Sequence, residues 1–308
     1  MSNRKVLITG GAGFIGSHVL DQALDIGYDV VVIDNFSSGR QVNLPNGIVS
    51  YELDIADPNL GRMFAIEKPD VVLHLAAQIS IQASMRDPLI DAQSNLIGSI
   101  NLFENCVKYG VSKIVYCSSG GSVYGEPIYL PCDEGHPIQP LSHYAVAKAA
   151  VENYLKVYNK TYDLDFTVLR FSNVFGPRQN PFGEAGVVAI FAQSMLLGHP
   201  VTIYGTGEQE RDFVYVSDVA RAVTHAILGP SGSVYNIGSG IGSTVNDIFS
   251  ILKIATGYQL DALKVDGKLG EVFRIYLDCS RVTQELGWHP LVGLEDGIAR
   301  TVDWFRST

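Results

Sequence analysis

Short apolar runs alternate with longer amphipathic stretches through the first half of the chain. The short runs predict strands, and the stretches in which apolar residues recur every three or four positions predict helices. Strands are predicted at residues 6–9, 30–34, 49–53, 71–75, 114–118 and 166–171. Helices are predicted at residues 14–27, 91–109 and 143–162. Gly27 and Gly110 suit the ends of two of these helices, and Ser142 suits the start of the third.

Strands that alternate with helices form a parallel sheet covered on both faces, so this pattern predicts an α/β fold with a doubly wound parallel sheet. After residue 171 glycine and proline become frequent. The pattern there predicts a helix at 187–197, strands at 200–207 and 213–216, and further helices between 246 and 308. We therefore predict a larger unit of residues 1–171 plus roughly 212–240. A smaller, mixed α/β unit of residues 172–211 and 241–308 is docked on it.

Composition agrees with a folded protein that carries a net negative charge. Apolar residues make up 46% of the 308 residues and charged residues 18%, a balance that supports a large core. The formal net charge of −10 disfavours nucleic acid and anionic membrane surfaces as partners. No apolar run approaches the roughly 18–20 residues of a membrane span. The run Val6-Leu7-Ile8 is also too short for a signal-peptide core.

The four cysteines are Cys106, Cys117, Cys132 and Cys279, and they are scattered along the chain. This spacing predicts reduced thiols in a cytoplasmic protein rather than a disulfide framework. Neither the cysteines nor the histidines show the spacing of metal ligands, so we expect no metal site.

A glycine-rich turn follows the first predicted strand and precedes the first predicted helix. Gly10, Gly13 and Gly16 give the spacing Gly-x-x-Gly-x-x-Gly, in which the backbone can approach a pyrophosphate at the helix N-terminus. Asp34 ends the second strand, eighteen residues after Gly16. A carboxylate there accepts hydrogen bonds from a ribose diol and repels a 2′-phosphate. These features predict a Rossmann-type site that binds NAD in preference to NADP.

Tyr144 and Lys148 lie four residues apart in a predicted helix, so they share one face. A free tyrosine has a pKa near 10, which is too high for a base at neutral pH. A nearby ammonium favours the phenolate, and we expect Lys148 to lower the pKa of Tyr144. A bound nicotinamide cation would add to this effect.

Together with a serine-rich strand end, these motifs resemble the extended short-chain dehydrogenases/reductases of the NAD-dependent epimerase/dehydratase family. Within that family the resemblance is to the nucleoside-diphosphate-sugar 4-epimerases. The matching segments are TGGAGFIG at 9–16, DN at 34–35, DI at 54–55, HLAA at 74–77, Asn95, SSGGSVYG at 118–125, YAVAK at 144–148, RFSNVFGP at 170–177, RDFVYV at 211–216 and GEVFRIYLD at 270–278.

The resemblance implies residue roles. Tyr144 is the implied general base, Lys148 binds the nicotinamide ribose, and Ser119 completes the catalytic set. The implied NAD-binding residues are Gly10, Gly13, Phe14, Ile15, Gly16, Asp34, Asn35, Ser38, Gly39, Asp54, Ile55, Leu75, Ala76, Ala77, Gln78, Asn95, Ser118, Tyr144 and Lys148. The implied substrate-binding residues are Ser119, Ser122, Tyr144, Asn173, Val187, Thr202, Tyr204, Arg211, Lys268, Glu271 and Ile275.

The chain departs from its relatives at two functional positions. Many relatives carry the catalytic Ser or Thr where this chain has Gly120, so Ser119 or Ser122 must supply that hydroxyl, and we favour Ser119. Lys268 stands where relatives commonly have a second phosphate-binding arginine, and lysine offers a point charge instead of a bidentate fork.

The resemblance implies 4-epimerisation of UDP-glucose and UDP-galactose with tightly bound NAD. Related dehydratases and decarboxylases carry acidic residues within the segment that here reads Gly120-Gly121-Ser122. Still open are another epimerase, reductase or dehydratase acting on UDP-N-acetyl sugars, UDP-uronates or dTDP-sugars, and a non-catalytic NAD sensor. A homodimer through a four-helix bundle, built from the helices at 91–109 and 143–162, is also implied.

Overall fold

The computed structural model describes residues 4–182, 186–267 and 272–308. The strands are β1 (Lys5–Thr9), β2 (Asp29–Asp34), β3 (Val49–Glu52), β4 (Val71–His74), β5 (Lys113–Ser119), β6 (Asp165–Phe171), β7 (Asn173–Phe175), β8 (Thr202–Tyr204), β9 (Glu210–Tyr215), β10 (Ser233–Ile237), β11 (Gly242–Thr244), β12 (Leu263–Val265) and β13 (Arg274–Ile275). The α-helices are α1 (Phe14–Ile26), α2 (Leu60–Glu67), α3 (Ile81–Arg86), α4 (Pro88–Asp91), α5 (Gly98–Tyr109), α6 (Gly120–Val123), α7 (His143–Tyr162), α8 (Val187–Leu196), α9 (Val216–Ala226), α10 (Val245–Thr256), α11 (Ser280–Leu286) and α12 (Leu294–Ser307). Gln41–Asn43 forms a 3₁₀ turn and Ala92–Ile97 a π-helical segment.

A seven-stranded parallel sheet in the order β10-β6-β5-β4-β1-β2-β3 confirms the predicted Rossmann-type fold. Side chains alternate between the faces of each strand. In β1, Val6 and Ile8 pack in the core that includes α1 and α9, whereas Leu7 packs in the opposite core with α5 and α7. The apolar runs are continuous because both faces of the sheet are buried.

The helix predicted at residues 91–109 is interrupted. Asp91 ends α4, the π-helical segment Ala92–Ile97 follows, and α5 completes the span. Within the π-helical segment, the side chain of Asn95 is bonded to both backbone groups of Gln78. A π-helical turn widens the spacing of successive turns, and such segments are frequent at functional sites.

Beyond residue 171, the strand entering a turn that is expected at 200–207 is β8 with the turn that follows it. One prediction is corrected, because Val216, expected in a strand, begins α9. The smaller sheet has the order β11-β9-β13, with β7 also paired to β9, and β8 pairs with β12. Helices α8, α10 and α12 bury a separate core together with β7 and β9.

In the parallel sheet the carboxyl ends of the strands share one edge, and open α/β sheets bind their ligands beyond that edge. The segments that follow β1, β4 and β5 therefore lie near one another. None of the helices in the described ranges is both long enough and apolar enough to cross a membrane.

Candidate active site

The turn from β1 into α1 is closed by glycines at positions where no side chain fits. Gly10 has a φ of 72°, and a Cβ there would lie 2.8 Å from the nitrogen of Ala76. A Cβ on Gly16 would overlap the carbonyl oxygen of Gly10. The first turn of α1, which begins at Phe14 and Ile15, leaves N–H groups free for an anion. This cradle fits the pyrophosphate of a dinucleotide.

Asp34 is buried beside the same turn. Its carboxylate accepts hydrogen bonds from the backbone nitrogens of Ala12 and Phe36, each at 2.9 Å. A Cβ on Gly39 would lie 2.7 Å from Asp34 Oδ1, so the chain passes the carboxylate at close range. A carboxylate has about four acceptor sites. Asp34 can therefore order this turn and still accept a hydrogen bond from a ribose hydroxyl.

The other residues predicted for adenosine lie beyond β2 and β3. Asn35 Nδ2 donates to Asp54 Oδ2 at 2.7 Å, and Asp54 Oδ1 accepts from the nitrogen of Ala56 at 2.8 Å. Ile55 is buried next to them, while Ser38 is exposed. The structure thus brings Asn35, Asp54 and Ile55 together at one end of the cradle.

The segment after β4, predicted to line the nicotinamide side, is held by the π-helical segment. Asn95 Oδ1 accepts from the nitrogen of Gln78 at 2.8 Å, and Asn95 Nδ2 donates to the Gln78 oxygen at 2.9 Å. The nitrogen of Ala76 donates to Thr9 Oγ1 at 3.2 Å. Leu75 and Ala77 lie within this fixed segment.

His74, at the end of β4, supports the segment after β4 through hydrogen bonds to its neighbours. Its Nδ1 is 2.8 Å from Thr9 Oγ1 and its Nε2 is 2.9 Å from Ser99 Oγ. Burial lowers the pKa of His74 to about 3, with a smaller contribution from Lys148. His74 is therefore a neutral connector. Sequence reasoning missed Thr9 and Ser99, since nothing in their spacing indicates a shared partner.

Tyr144, Lys148 and Ser119 meet where β5 ends. Lys148 Nζ donates to the carbonyl oxygen of Cys117 at 2.9 Å. The same nitrogen lies 5.8 Å from the centre of the Tyr144 ring. The Ser119 hydroxyl is close enough to Tyr144 to lower the pKa of the phenol. The three residues predicted to be catalytic are thus in one constellation.

The pKa of Tyr144 is raised in this structure, whereas a nearby ammonium is expected to lower it. Burial raises the pKa of Tyr144 to about 12, and the hydrogen bond with Ser119 is the contribution that lowers it. Burial also lowers the pKa of Lys148 to about 8, although Cys117, Asp91 and Glu152 oppose that shift. Helical spacing shows that two groups share a face, but it does not reveal how far both are removed from water.

Gly120 cannot be replaced by a hydroxyl residue without rearrangement. A Cβ there would lie 2.8 Å from Leu277 Cδ1 and 3.2 Å from the carbonyl oxygen of Arg170. Ser119 and Ser122 flank this position, and Ser119 Oγ donates to Ser122 Oγ at 3.1 Å. The contact of Ser119 with Tyr144 favours Ser119 as the hydroxyl that serves the reaction.

We expect Ser119→Ala to lower kcat by about tenfold or more, the worth of one hydrogen bond to a reacting group. Ser122→Ala should cost less, because Ser119 contributes to the pKa of Tyr144 and Ser122 is bonded to Ser119. Steady-state rates of the two purified variants test this ranking. A larger loss in Ser122→Ala would transfer the role to Ser122, and two unaffected variants would remove both hydroxyls from it.

A cavity of about 260 Å³ lies on the side of the smaller sheet. It is lined by Asn173, Val174, Phe175, Gln179, Gly186, Val188 and Phe213. Asn173 Oδ1 is 3.5 Å from where a Cβ of Gly121 would stand, so the cavity adjoins the segment after β5. Among the described residues, the buried Gln179 Oε1 has no hydrogen-bond partner, while Gln179 Nε2 donates to the Val174 oxygen. Sequence reasoning missed Gln179.

The remaining predicted substrate-binding residues are dispersed. Arg211 and Ile275 are register partners on β9 and β13. Ile275 is buried in an apolar cluster with Val123, Tyr124 and Ala149, next to the constellation. None of the predicted residues Val187, Thr202, Tyr204, Arg211 and Ile275 is among the described residues that line the cavity. Lys268 and Glu271 lie outside the described residues.

Ser118, predicted to bind the cofactor, has its hydroxyl committed elsewhere. Ser118 Oγ donates to Glu152 Oε1 at 2.6 Å, and the residue is buried. Over residues 4–182, 186–267 and 272–308, no group of three or more His, Cys, Asp or Glu side chains is placed to hold a metal ion.

The chain is similar over nearly its whole length to known nucleotide-sugar enzymes. It is 44% identical over 302 residues to a putative UDP-glucose 4-epimerase of Methanocaldococcus jannaschii, covering 98% of each chain. The crystal structure of a UDP-glucose 4-epimerase of Thermotoga maritima with UDP-glucose matches with a TM-score of 0.97 and 46% identity, covering 98% of this chain and 99% of that one. A UDP-glucose 4-epimerase of Thermus thermophilus in complex with NAD matches with a TM-score of 0.95 and 42% identity, covering 99% of each.

A family model agrees with these similarities and with the geometry of the cradle and the constellation. Residues 6–238 match the model of the NAD dependent epimerase/dehydratase family. With the sheet order, the glycine cradle and the grouped Ser119, Tyr144 and Lys148, the match shows that this chain belongs to the NAD-dependent epimerase/dehydratase family of extended short-chain dehydrogenases/reductases.

Proposed function

We propose that this chain is an NAD-dependent UDP-sugar 4-epimerase that interconverts UDP-glucose and UDP-galactose. The observation that carries the proposal is the grouping of Ser119, Tyr144 and Lys148 beside a cradle that fits a dinucleotide. The relatives described above are named for this activity, which supports the same assignment here.

The residues of the chain divide the work of the reaction. Ser119 and Tyr144 hold the hydroxyl at C4 of the sugar, and the phenolic oxygen of Tyr144 takes its proton. When bound, NAD supplies a hydride acceptor for C4, the hydride that later returns to the opposite face, and in its oxidised form a positive charge that favours the phenolate. Tyr144 then returns its proton to the C4 oxygen. Because the hydride removed from C4 also returns to C4, the reaction has no net redox change. Lys148 contributes positive charge and a donor for the nicotinamide ribose.

The segment after β5 disfavours elimination reactions. The resemblance implies that dehydratases of this family use acidic residues where this chain has Gly121 and Ser122, and that decarboxylases use a Glu where it has Ser122. Asp91 is a buried carboxylate nearby, but it accepts hydrogen bonds from Gln78 and Asn95. It is therefore committed to ordering the segment after β4. The presence of both Tyr144 and Lys148 argues against a non-catalytic NAD sensor.

We assign NAD binding to residues 1–171 with roughly 212–240, and nucleotide-sugar binding to residues 172–211 and 241–308. The separate core of α8, α10 and α12 supports this division. The cavity bounded by Asn173, Gln179 and Phe213 is the proposed place for part of the nucleotide. Arg211 is the proposed phosphate contact.

The proposal includes a homodimer built from the helices around 91–109 and 143–162. Apolar side chains are exposed on both: Ile90 is 60% and Ile97 46% exposed, and Val146 is 51% and Val157 60% exposed. Burying such rows against a second copy would form a four-helix bundle. Sedimentation of the purified protein tests this, and a monomer at micromolar concentration would contradict it.

A cytoplasmic location is part of the same proposal. The four cysteines are all free thiols in the described structure, and Cys106, Cys117 and Cys132 are buried. Reduced thiols of this kind are usual in a reducing compartment.

Product analysis by NMR tests the function directly. The protein is incubated with UDP-glucose, UDP-galactose, their N-acetyl counterparts, UDP-glucuronate and dTDP-glucose, while absorbance at 340 nm is recorded. We expect interconversion of the UDP-glucose pair with no net change in absorbance. A 4-keto-6-deoxy product would indicate a dehydratase, a steady absorbance change would indicate a reductase or dehydrogenase, and no product with NAD that is lost on dilution would favour a sensor.

The side chain at Ile275 is expected to set the preference between sugars. The resemblance implies that a large side chain at this position excludes the acetamide group of an N-acetyl sugar. Ile275 is 2% exposed in a packed cluster. Admitting an extra group into such a site costs roughly 1–3 kcal/mol. We expect wild type to prefer the UDP-glucose pair over the UDP-N-acetyl pair, and Ile275→Ala to narrow the ratio of kcat/KM values by about tenfold.

Ile248→Ala is the matched control for that variant, because Ile248 is equally buried but lies in the core of α8, α10 and α12. Both variants lose stability through a cavity, about 2–5 kcal/mol. Preference ratios are therefore compared at a temperature where both remain folded. The role of Ile275 in sugar preference would be refuted if wild type preferred the N-acetyl pair. It would also be refuted if the ratio of kcat/KM values for the two pairs were the same in Ile275→Ala and Ile248→Ala.

A further inference from the structure

A buried ion pair lies directly behind the catalytic constellation and has no place in the function described so far. Glu152 is on α7, eight residues after Tyr144 and four after Lys148, so the three side chains share one face of the helix. Glu152 Oε2 lies 2.6 Å from Arg170 Nη2, and their side chains are 1% and 4% exposed. Arg170 Nε also donates to both carboxylate oxygens, at 3.1 and 3.2 Å.

Glu152 is bonded to the strand end that carries the catalytic hydroxyl. Glu152 Oε1 accepts from Ser118 Oγ at 2.6 Å, and Ser118 immediately precedes Ser119. Ser118 is also the register partner of Arg170 in the paired strands β5 and β6. Ser118 is therefore held from two sides, by Glu152 on α7 and by the pairing of β5 with β6 next to Arg170.

The other two side chains of the same helix face bind the adjoining positions of β5. Lys148 Nζ donates to the carbonyl oxygen of Cys117, and the Ser119 hydroxyl is close enough to Tyr144 to lower its pKa. Three consecutive positions at the end of β5 thus have partners on one face of α7, in an order that differs from the order along the helix. Glu152 binds the central position, Ser118, and so restrains the chain next to Ser119.

Arg170 extends the same support to the far side of the hydroxyl-bearing segment. Its Nη1 donates to the Tyr124 hydroxyl at 3.0 Å, and its guanidinium carbon lies 5.1 Å from the centre of the Tyr124 ring. The Tyr124 hydroxyl in turn donates to Asn236 Oδ1 at 2.6 Å. The segment from Ser119 to Val123, which includes α6, is therefore held before its start and after its end.

We propose that Glu152, fixed by Arg170, is a positioning residue that acts through Ser118 to set Ser119 against Tyr144. A buried ion pair is weak as a source of stability, because the cost of removing both charges from water offsets their attraction. The pair instead fixes positions, because Glu152 binds Ser118 before Ser119 and Arg170 binds Tyr124 after it. The inference rests on the proposed function in treating Ser119 as the hydroxyl that serves the reaction.

The test is a double-mutant cycle between Glu152→Gln and Ser119→Ala, with kcat and KM measured for UDP-galactose. If Glu152 acts through Ser119, Glu152→Gln lowers kcat about tenfold in the wild-type background and less than about twofold in the Ser119→Ala background. KM should change little in either background. Crystal structures of wild type and Glu152→Gln provide a readout independent of activity, and the distance between Ser119 Oγ and the Tyr144 hydroxyl should be longer in the variant.

Asp218→Asn is the matched control for a purely structural effect. Asp218 is a buried carboxylate that pairs with Arg221 and accepts from the nitrogens of Leu291 and Val292. We expect this variant to lose thermal stability while its kcat per folded molecule stays at the wild-type value. If Glu152→Gln behaves as Asp218→Asn does, Glu152 has a structural role and the inference is overturned.

Ser118→Ala carries the test if Glu152→Gln does not fold. It removes the link to Ser119 and leaves the ion pair of Glu152 and Arg170 in place, and the same non-additivity with Ser119→Ala is expected. If wild type is active, two results would overturn the inference. One is additive losses in kcat, and the other is an unchanged distance between Ser119 Oγ and the Tyr144 hydroxyl in the variant. A wild type that does not epimerise UDP-galactose would instead count against the proposed function.

Discussion

Replacement of Tyr144 by phenylalanine is expected to abolish epimerisation while leaving the fold and the bound NAD intact. The aromatic ring, which packs 5.8 Å from Lys148 Nζ, is retained in the variant. The hydroxyl that is proposed to exchange a proton with the sugar is removed. Loss of a positioned acid–base group typically costs about 10²–10⁴-fold in rate. Turnover of UDP-galactose and the NAD content of the purified variant measure the two parts of this result.

Tyr116→Phe is the matched control. Tyr116 is a buried tyrosine on β5, and its ring lies 5.0 Å from the same Lys148 nitrogen. It has no place in the proposed reaction, so its loss should leave the rate within a few-fold of wild type. Near-wild-type activity in Tyr144→Phe would remove Tyr144 from the mechanism, and an equal loss in both variants would point to general damage around Lys148.

Burial also affects the ionisation of Tyr144 and Lys148. Burial raises the pKa of Tyr144 to about 12 and lowers that of Lys148 to about 8. Both shifts favour the neutral forms, so both disfavour a tyrosinate beside an ammonium. The positive charge of oxidised NAD is the addition that the proposed mechanism requires. The spacing of Tyr144 and Lys148 places an ammonium near the phenol, but it does not show how strongly burial opposes the effect of that charge on the tyrosine pKa.

The strand-rich first half could be predicted because its pattern is local. Buried parallel strands are continuous apolar runs, and the helix ends at Gly27 and Gly110 carry their own signals. Helix α9 was missed, although Val216, Val219 and Val223 recur at helical spacing. The preceding residues of β9 are also apolar, and that run concealed where the strand ended and the helix began.

Part of the site could not be predicted because it depends on contacts between distant segments. The glycine cradle and the Tyr144–Lys148 pair are local motifs, and both are grouped as expected. The anchoring of Ser118 by Glu152 and Arg170 joins β5, α7 and β6, which no spacing in the sequence reveals. The close fit of Gly120 against Leu277 is likewise a tertiary contact, and it leaves little room for a side chain at that position.

Gly16→Ala is expected to abolish retention of NAD and, with it, activity. A Cβ at Gly16 would overlap the carbonyl oxygen of Gly10 and lie 2.9 Å from the Cα of Gly11. These are backbone atoms in the turn itself, so the added methyl cannot be accommodated by rotating a side chain. The turn must open, at a cost of about 1–3 kcal/mol, and its groups no longer converge on a pyrophosphate. We expect NAD per chain, measured by absorbance after denaturation, to fall at least about tenfold.

Gly293→Ala makes the same chemical change where space allows it. Gly293 precedes α12 with a φ of −68°, and a Cβ there would meet no atom within 4 Å. This control should retain NAD, activity and thermal stability close to wild type. Circular dichroism establishes whether Gly16→Ala remains folded, and its NAD content is expressed per folded chain. A folded Gly16→Ala protein with full NAD content would show that the turn at Gly10 and Gly16 does not hold the cofactor.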